Sequence, residues 1–62
     1  MLESTLDNYI GKDVIIHIFN HVLDRGILHR IHGKYGCVRD NEVAMLYSAH
    51  HVVAIEEVSN EQ

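Results

Sequence analysis

The stretch Val22-Leu23-Asp24-Arg25-Gly26-Ile27-Leu28-His29-Arg30-Ile31-His32 decides the fold. It reads as one long β-strand, yet its apolar residues do not keep to one face: Leu28 and Ile31 fall on opposite sides of a regular strand. Gly26 sits inside it, where a glycine weakens a strand unless a bend needs it. A glycine beside a break in phase predicts a bulge or a sharp bend, the device by which one strand serves two sides of a barrel.

The flanking residues agree with that reading. Val14 to Phe19 is a β-branched run, with Val14, Ile16 and Ile18 on one face and Ile15, His17 and Phe19 on the other. Asn20-His21 predicts a two-residue turn, because Asn tolerates positive φ. Beyond Gly33, a third strand is expected from Tyr35 to Arg39, then a turn at Asp40-Asn41 and a fourth strand over Val43–Ser48. A tight connection to His51 leads to a fifth strand, Val52–Val58, and a polar tail. At the other end, Leu2, Leu6, Tyr9 and Ile10 recur at helical spacing; Ser4 or Thr5 is the expected cap, and Gly11 suits the position past the end. The chain therefore reads as mainly β, a single domain over 1–62: a short helix in 1–11, a five-stranded, strongly bent antiparallel barrel in 12–58, and a tail in 59–62. Phe19 and Tyr47 are expected in its core.

Size and composition exclude much else. Sixty-two residues, 47% hydrophobic and 23% charged, with no Pro and no Trp, make one small globular unit with a weak core. No apolar run approaches the ~20 residues of a membrane span, and Met1-Leu2-Glu3-Ser4 lacks the basic start of a secretory signal. The lone Cys37 cannot form an intrachain disulfide, so a reducing, cytoplasmic setting is expected.

The net charge of -4 argues against a general nucleic-acid binder. The charge is unevenly spread, however. From Arg25 to Arg39 the chain places Arg25, Arg30, Lys34 and Arg39 with His29 and His32 and no acid. These are either solvated strand residues or an anion-binding face. Tyr35, flanked by Lys34 and Gly36, is either a surface on which a base stacks or a core side chain with a satisfied hydroxyl.

The residues resemble the Sm-like family over nearly the whole chain. Ile10-Gly11-Lys12-Asp13-Val14 looks like the start of its first motif, after a helix; Asn20, Gly26-Ile27-Leu28 and Ile31 match the later positions of that motif; and His51-Val52-Val53-Ala54-Ile55 fits the strand that ends its second motif. Tyr47-Ser48-Ala49-His50 is loosely similar to a segment of the bacterial RNA-chaperone branch. The resemblance implies a small barrel, assembly into rings, and a ligand facing the turn between strands two and three, on or beside which Arg30, Lys34 and Arg39 are expected. At the family's RNA-contacting positions this chain has His32, Lys34 and Gly36 instead of the usual residues, and it lacks the uracil-binding Asn. Fold analogy by itself does not assign function.

The six histidines invite two chemical readings. His29, His32, Cys37, His50 and His51 could be assembled into a zinc site, but His29 and His32, like the adjacent His50 and His51, diverge in a regular strand. His29, His32 and Lys34 are the types used in acid–base cleavage, but no nucleophile, carboxylate pair or phosphate loop accompanies them. Neither catalysis nor a cofactor is expected. The sequence reads as a non-catalytic module that assembles with copies of itself and holds a nucleotide-type ligand, either short RNA or a free or cyclic nucleotide between protomers. Arg25, Arg30, Lys34 and Arg39 would supply charge, Tyr35 a stacking face, and His29, His32 and His50 hydrogen bonds. The alternative is a structural or regulatory adaptor that binds another protein through a sheet edge.

Overall fold

The alternation of Val14, Ile16 and Ile18 produces β1 (Asp13–Ile18), in which those three side chains are buried and their neighbours only partly so. The computed structural model describes residues 1–59. Helix α1 (Glu3–Asp7) comes first. After β1 the chain makes a 3₁₀ turn at Phe19–His21 and continues into β2 (Val22–Ile31), β3 (Lys34–Arg39) and β4 (Glu42–Val43). A second 3₁₀ turn at Ala49–His51 leads into β5 (Val52–Glu57). Positive φ values at Asn20 (66°), Asp40 (56°) and Asn41 (65°) mark the turns expected there. The expected tail lies, beyond Ser59, outside the described residues.

The five strands form one antiparallel sheet in the order β4-β3-β2-β1-β5. The sheet is open: β4 and β5 are its two edges and do not pair with each other. The expected fourth strand over Val43–Ser48 shrinks to Glu42–Val43 because the chain then leaves the ladder, rejoining β3 only through an isolated Tyr35–Tyr47 bridge. Gly36 permits this crossing. A Cβ there would come within 2.8 Å of the Val43 and Leu46 side chains, so the segment lies directly on the β3 backbone.

Strand β2 changes partners at Gly26-Ile27. Val22–Ile27 pairs with β1, and Ile27–Ile31 pairs with β3. Gly26 adopts φ +150°, and a Cβ on it would lie 2.5 Å from the Val38 carbonyl oxygen. The device is a bend rather than a bulge, since both β2 ladders run without a register shift; the irregular step lies between His17 and Ile18 against β5. Past the bend, the Gly11 N–H donates to the Leu28 carbonyl (2.9 Å) and the Leu28 N–H to the Lys12 carbonyl (3.0 Å), which extends the contact with the chain before β1.

The core consists of Leu6, Val14, Ile16, Ile18, Leu28, Tyr35, Cys37, Ala49 and Val52. Helix α1 docks through Leu6, fully buried, and Tyr9, just past its end, packs against the same cluster. At five residues it cannot persist alone, and burying one Leu supplies ~1.5–3 kcal/mol to hold it. Its N-cap is Leu2, with no side-chain hydrogen bond, so neither Ser4 nor Thr5 caps it. The Met1 nitrogen donates to the Ala49 and Val52 carbonyls (2.9 and 2.8 Å), tying this segment to the entry of β5. Phe19, expected in the core, is 49% exposed because it opens the 3₁₀ turn beyond the end of β1. Tyr47 is half-buried. Among the described residues no helix is long and apolar enough to cross a membrane.

Gly26→Val tests the bend. The backbone conformation alone costs a β-branched residue ~1–3 kcal/mol, and the clash with the Val38 carbonyl adds to that. Circular dichroism melting is expected to show no cooperative transition for this variant. Gly33→Ala, with open space at its Cβ, should still fold.

Candidate functional site

Glu3 and Asp7 are one helical turn apart, so they share a face of α1. Both meet Arg30. Its Nη1 donates to Asp7 Oδ1 and Oδ2 (3.1 and 2.9 Å) and its Nη2 to Glu3 Oε1 (2.9 Å). Arg30 directly opposes Tyr35 in the β2–β3 ladder, and its guanidinium sits 5.1 Å above the ring. The Tyr35 hydroxyl donates to Asp7 Oδ1 at 2.6 Å, with the Glu3 carbonyl 3.4 Å away. These contacts overturn two sequence expectations. Tyr35 is fully buried and offers no ring face to a base, and Arg30 is spent on two carboxylates. Helix α1 covers the side of the sheet to which both point.

The remaining expected residues are divided among three places. His29 and Lys34 lie on exposed backbone near the β2–β3 turn; they oppose Gly36 and Ile31, on the face away from Arg30. His32 is in the turn itself, at φ +53°, ahead of Gly33. Among the described residues none of the three has a side-chain hydrogen bond or ion pair. His50 is in the second 3₁₀ turn, where its ring packs against His51 (5.5 Å between centroids) and Phe19 (6.2 Å). His50 and His51 are therefore in ring contact, contrary to the expectation for a strand, because a 3₁₀ turn sets consecutive side chains about 120° apart rather than on opposite faces. Ser48 Oγ is 3.3 Å from His51 Nδ1. Among the described residues no group of three or more His, Cys, Asp or Glu could hold a metal ion, so the zinc alternative has no counterpart there.

Arg25 and Arg39 are brought together at the opposite end of β3 from the turn. Arg39 was expected beside that turn; the register, with Ile27 opposite Val38, instead places it next to the β2 bend. Both arginines line a groove of about 490 Å³ with Asp13, Gly26, Ile27, Val38 and Asp40. Two smaller hollows, of about 190 and 260 Å³, share the same two arginines and add Asp24. Arg25 Nη2 lies 3.5 Å from Asp13 Oδ2. Arg39 has no ion pair or side-chain hydrogen bond among the described residues. Asp24 Oδ1 accepts the Arg25 backbone N–H at 2.9 Å, while Oδ2 is shielded from solvent, with the Tyr47 hydroxyl close to the carboxylate.

Sequence reasoning missed Asp24. The available signal was its phase: it lies two residues before Gly26 and four before Leu28, on the inward-facing side of β2, where an acid is out of place. Its carboxylate also acts on its neighbours. Burial, and then Asp24, push the Cys37 thiol up to about 12 and raise the Tyr47 hydroxyl. The Tyr47 hydroxyl lies within hydrogen-bonding reach of this carboxylate, which adds to its rise. Cys37 is an inert, buried thiol that packs as a small apolar residue.

Searches against protein-family models, curated proteins and solved structures found no match for this chain. The Sm-like resemblance therefore rests on the sequence motifs alone.

Burial, and then the Asp7 hydrogen bond, also raise the Tyr35 hydroxyl from 10.0 to about 12. Tyr35 and Cys37 both hold their protons more tightly in the folded chain than in the unfolded one. Their contribution is whole below pH 9.0 and is lost as pH rises through the interval from 9.0 to about 12. Denaturant titrations across that interval should show stability falling by on the order of 2 kcal/mol or more. Cys37→Ala should flatten the lower part of the fall and Tyr35→Phe the upper part.

Proposed function

We propose that this chain is a non-catalytic binding module that assembles with copies of itself and holds a nucleotide-type ligand, either short RNA or a free or cyclic nucleotide, in the cytoplasm. The observation that carries the ligand reading is Arg39, without an ion pair or side-chain hydrogen bond among the described residues, beside Arg25 on the groove of about 490 Å³. A guanidinium presents five donors in a planar fork, suited to phosphate oxygens and to base edges alike. The ligand set is thereby narrower than the sequence suggested. Arg30 and Tyr35 hold the helix, and Lys34, His29 and His32 lie toward the far end of the β2–β3 hairpin.

The open sheet supports the assembly reading. Strands β4 and β5 each leave one side of their backbone ladder unpaired, and exposed apolar side chains accompany both: Met45 comes after β4, and Val53 lies on β5. A chain with so small a core gains stability by pairing these edges between copies. The same features favour a second reading, in which the strand that completes an edge belongs to a different protein.

Light scattering of the purified chain at tens of micromolar should give a mass of several protomers, and Val53→Lys with Met45→Lys should reduce it to one. A wild-type monomer would remove the self-assembly reading and leave the adaptor. Isothermal titration with nucleoside monophosphates, a cyclic dinucleotide and a short RNA tests the ligand. Arg39→Ala should weaken binding at least tenfold, about 1.4 kcal/mol, while Lys34→Ala leaves it unchanged. The opposite pattern would return the site to the β2–β3 turn.

A further inference from the structure

The two edges of the sheet are unequal. Strand β4 has two residues before the chain leaves the ladder, whereas β5 has six. Among the described residues the outer side of β5 pairs with nothing, and it alone is long enough to carry a further strand. Backbone phase shows what that side offers. The Val58 N–H donates to the Asp13 carbonyl at 2.8 Å, in step with the β1–β5 register. In an antiparallel ladder, residues that bond one neighbour alternate with residues that face the other way. Ala54 and Glu56 therefore bond β1, while Ile55 and Glu57 turn their N–H and C=O groups outward. The register shift against β1 falls before Ala54, so the edge is regular from there onward.

Charge selects the occupant and its register. Glu56 and Glu57 are exposed, and such carboxylates blunt an edge against indiscriminate pairing. A second β5, antiparallel about a two-fold axis at Ile55, sets no two of them directly opposite each other. Ala54 then lies opposite Glu56, Val53 opposite Glu57, and Ile55 opposite its own copy. Moving the axis to Glu56 would set that carboxylate against itself, which is destabilising. Moving it to Ala54 would leave Glu57 outside the pairing. The β4 edge of a copy offers only Glu42 and Val43, a further acid and too few ladder bonds. Ile55 also gains from the pairing, because it is only partly buried at the margin of the core.

We infer that two copies of this chain pair β5 to β5 about a two-fold axis at Ile55, joining their sheets into one. The inference rests on the self-assembly reading above and names its interface. Such a contact is isologous: the same residues serve both copies, and the pairing closes on itself. It differs from the head-to-tail contact of a ring, in which β4 of one copy would meet β5 of the next. Any larger assembly is then built from these pairs.

The experiment mixes Ala54→Cys and Glu56→Cys chains under mild oxidation. In the inferred register these positions face each other without mutual ladder bonds, with Cα atoms ~4.5 Å apart, inside the range a disulfide spans. In either variant alone the nearest engineered cysteines are diagonal neighbours, ~7–8 Å apart. The mixture should therefore yield cross-linked dimer about tenfold faster, or more, than either variant alone. Cys37 is buried and takes no part. Glu57→Pro removes an outward N–H and no bond to β1, so its circular dichroism should match the parent's. Two ladder bonds are lost per pair, and light scattering should show dimerisation weakened about tenfold or more. An assembly whose mixture cross-links no faster than the single variants, or one that Glu57→Pro leaves intact, would overturn this inference and leave the self-assembly reading standing. A wild-type monomer at tens of micromolar would overturn both.

Discussion

The Val38 carbonyl oxygen occupies the space that a side chain at residue 26 would need. Because Gly26 has none, the β3 backbone can close against β2 at the point where β2 turns from β1 toward β3. That single approach sets the register of the β2–β3 ladder. It places Leu28 opposite Cys37 in the core and Arg30 opposite Tyr35 under the helix, and it brings Arg39 alongside Arg25. Neither the docking of α1 nor the groove at the other end of β3 would exist with β2 straight.

The basic segment between Arg25 and Arg39 shows how one run of charge serves separate purposes once it is folded. Strand alternation sends Arg30 and Lys34 to opposite faces, and the hairpin carries Arg39 away from both. Arg30 is the one most completely engaged, by two carboxylates of α1 and the Tyr35 ring. Such an arrangement contributes specificity of docking as much as stability, since an exposed ion pair by itself is worth little. Asp7 joins the pair to the Tyr35 hydroxyl, and the short helix is thereby held in one orientation by a polar contact as well as by Leu6.

A chain of this size cannot bury all its apolar residues. Leu2, Phe19, Val22, Leu23, Met45 and Val53 remain exposed although the core itself is well enclosed. Several lie beside the sheet edges or the 3₁₀ turns, where the Phe19, His50 and His51 rings also gather. Open backbone ladders and apolar side chains in the same molecule are the physical ground for reading it as part of an assembly.

Local chemistry made most of the fold legible in the sequence. The period-two burial of Val14, Ile16 and Ile18, the turn residues Asn20, Asp40 and Asn41, and the glycine inside β2 each act through their own backbone or their immediate neighbours. The resulting strands were therefore visible without a structure. Contacts between residues far apart in the chain were not. Val43 to Ser48 has a strand's alternation, but it crosses Gly36 instead of following the ladder. Tyr35 has the composition of an exposed stacking residue, but Glu3 and Asp7, some thirty positions earlier, come to lie over it. The site was only half legible for the same reason. Sequence proximity made Arg30, Lys34 and Arg39 one cluster, whereas pairing and alternation separate them and join Arg39 to Arg25 and Asp24. A residue type states which bonds a side chain can make; which partner reaches it first is decided by the register of strands that meet only in the folded chain.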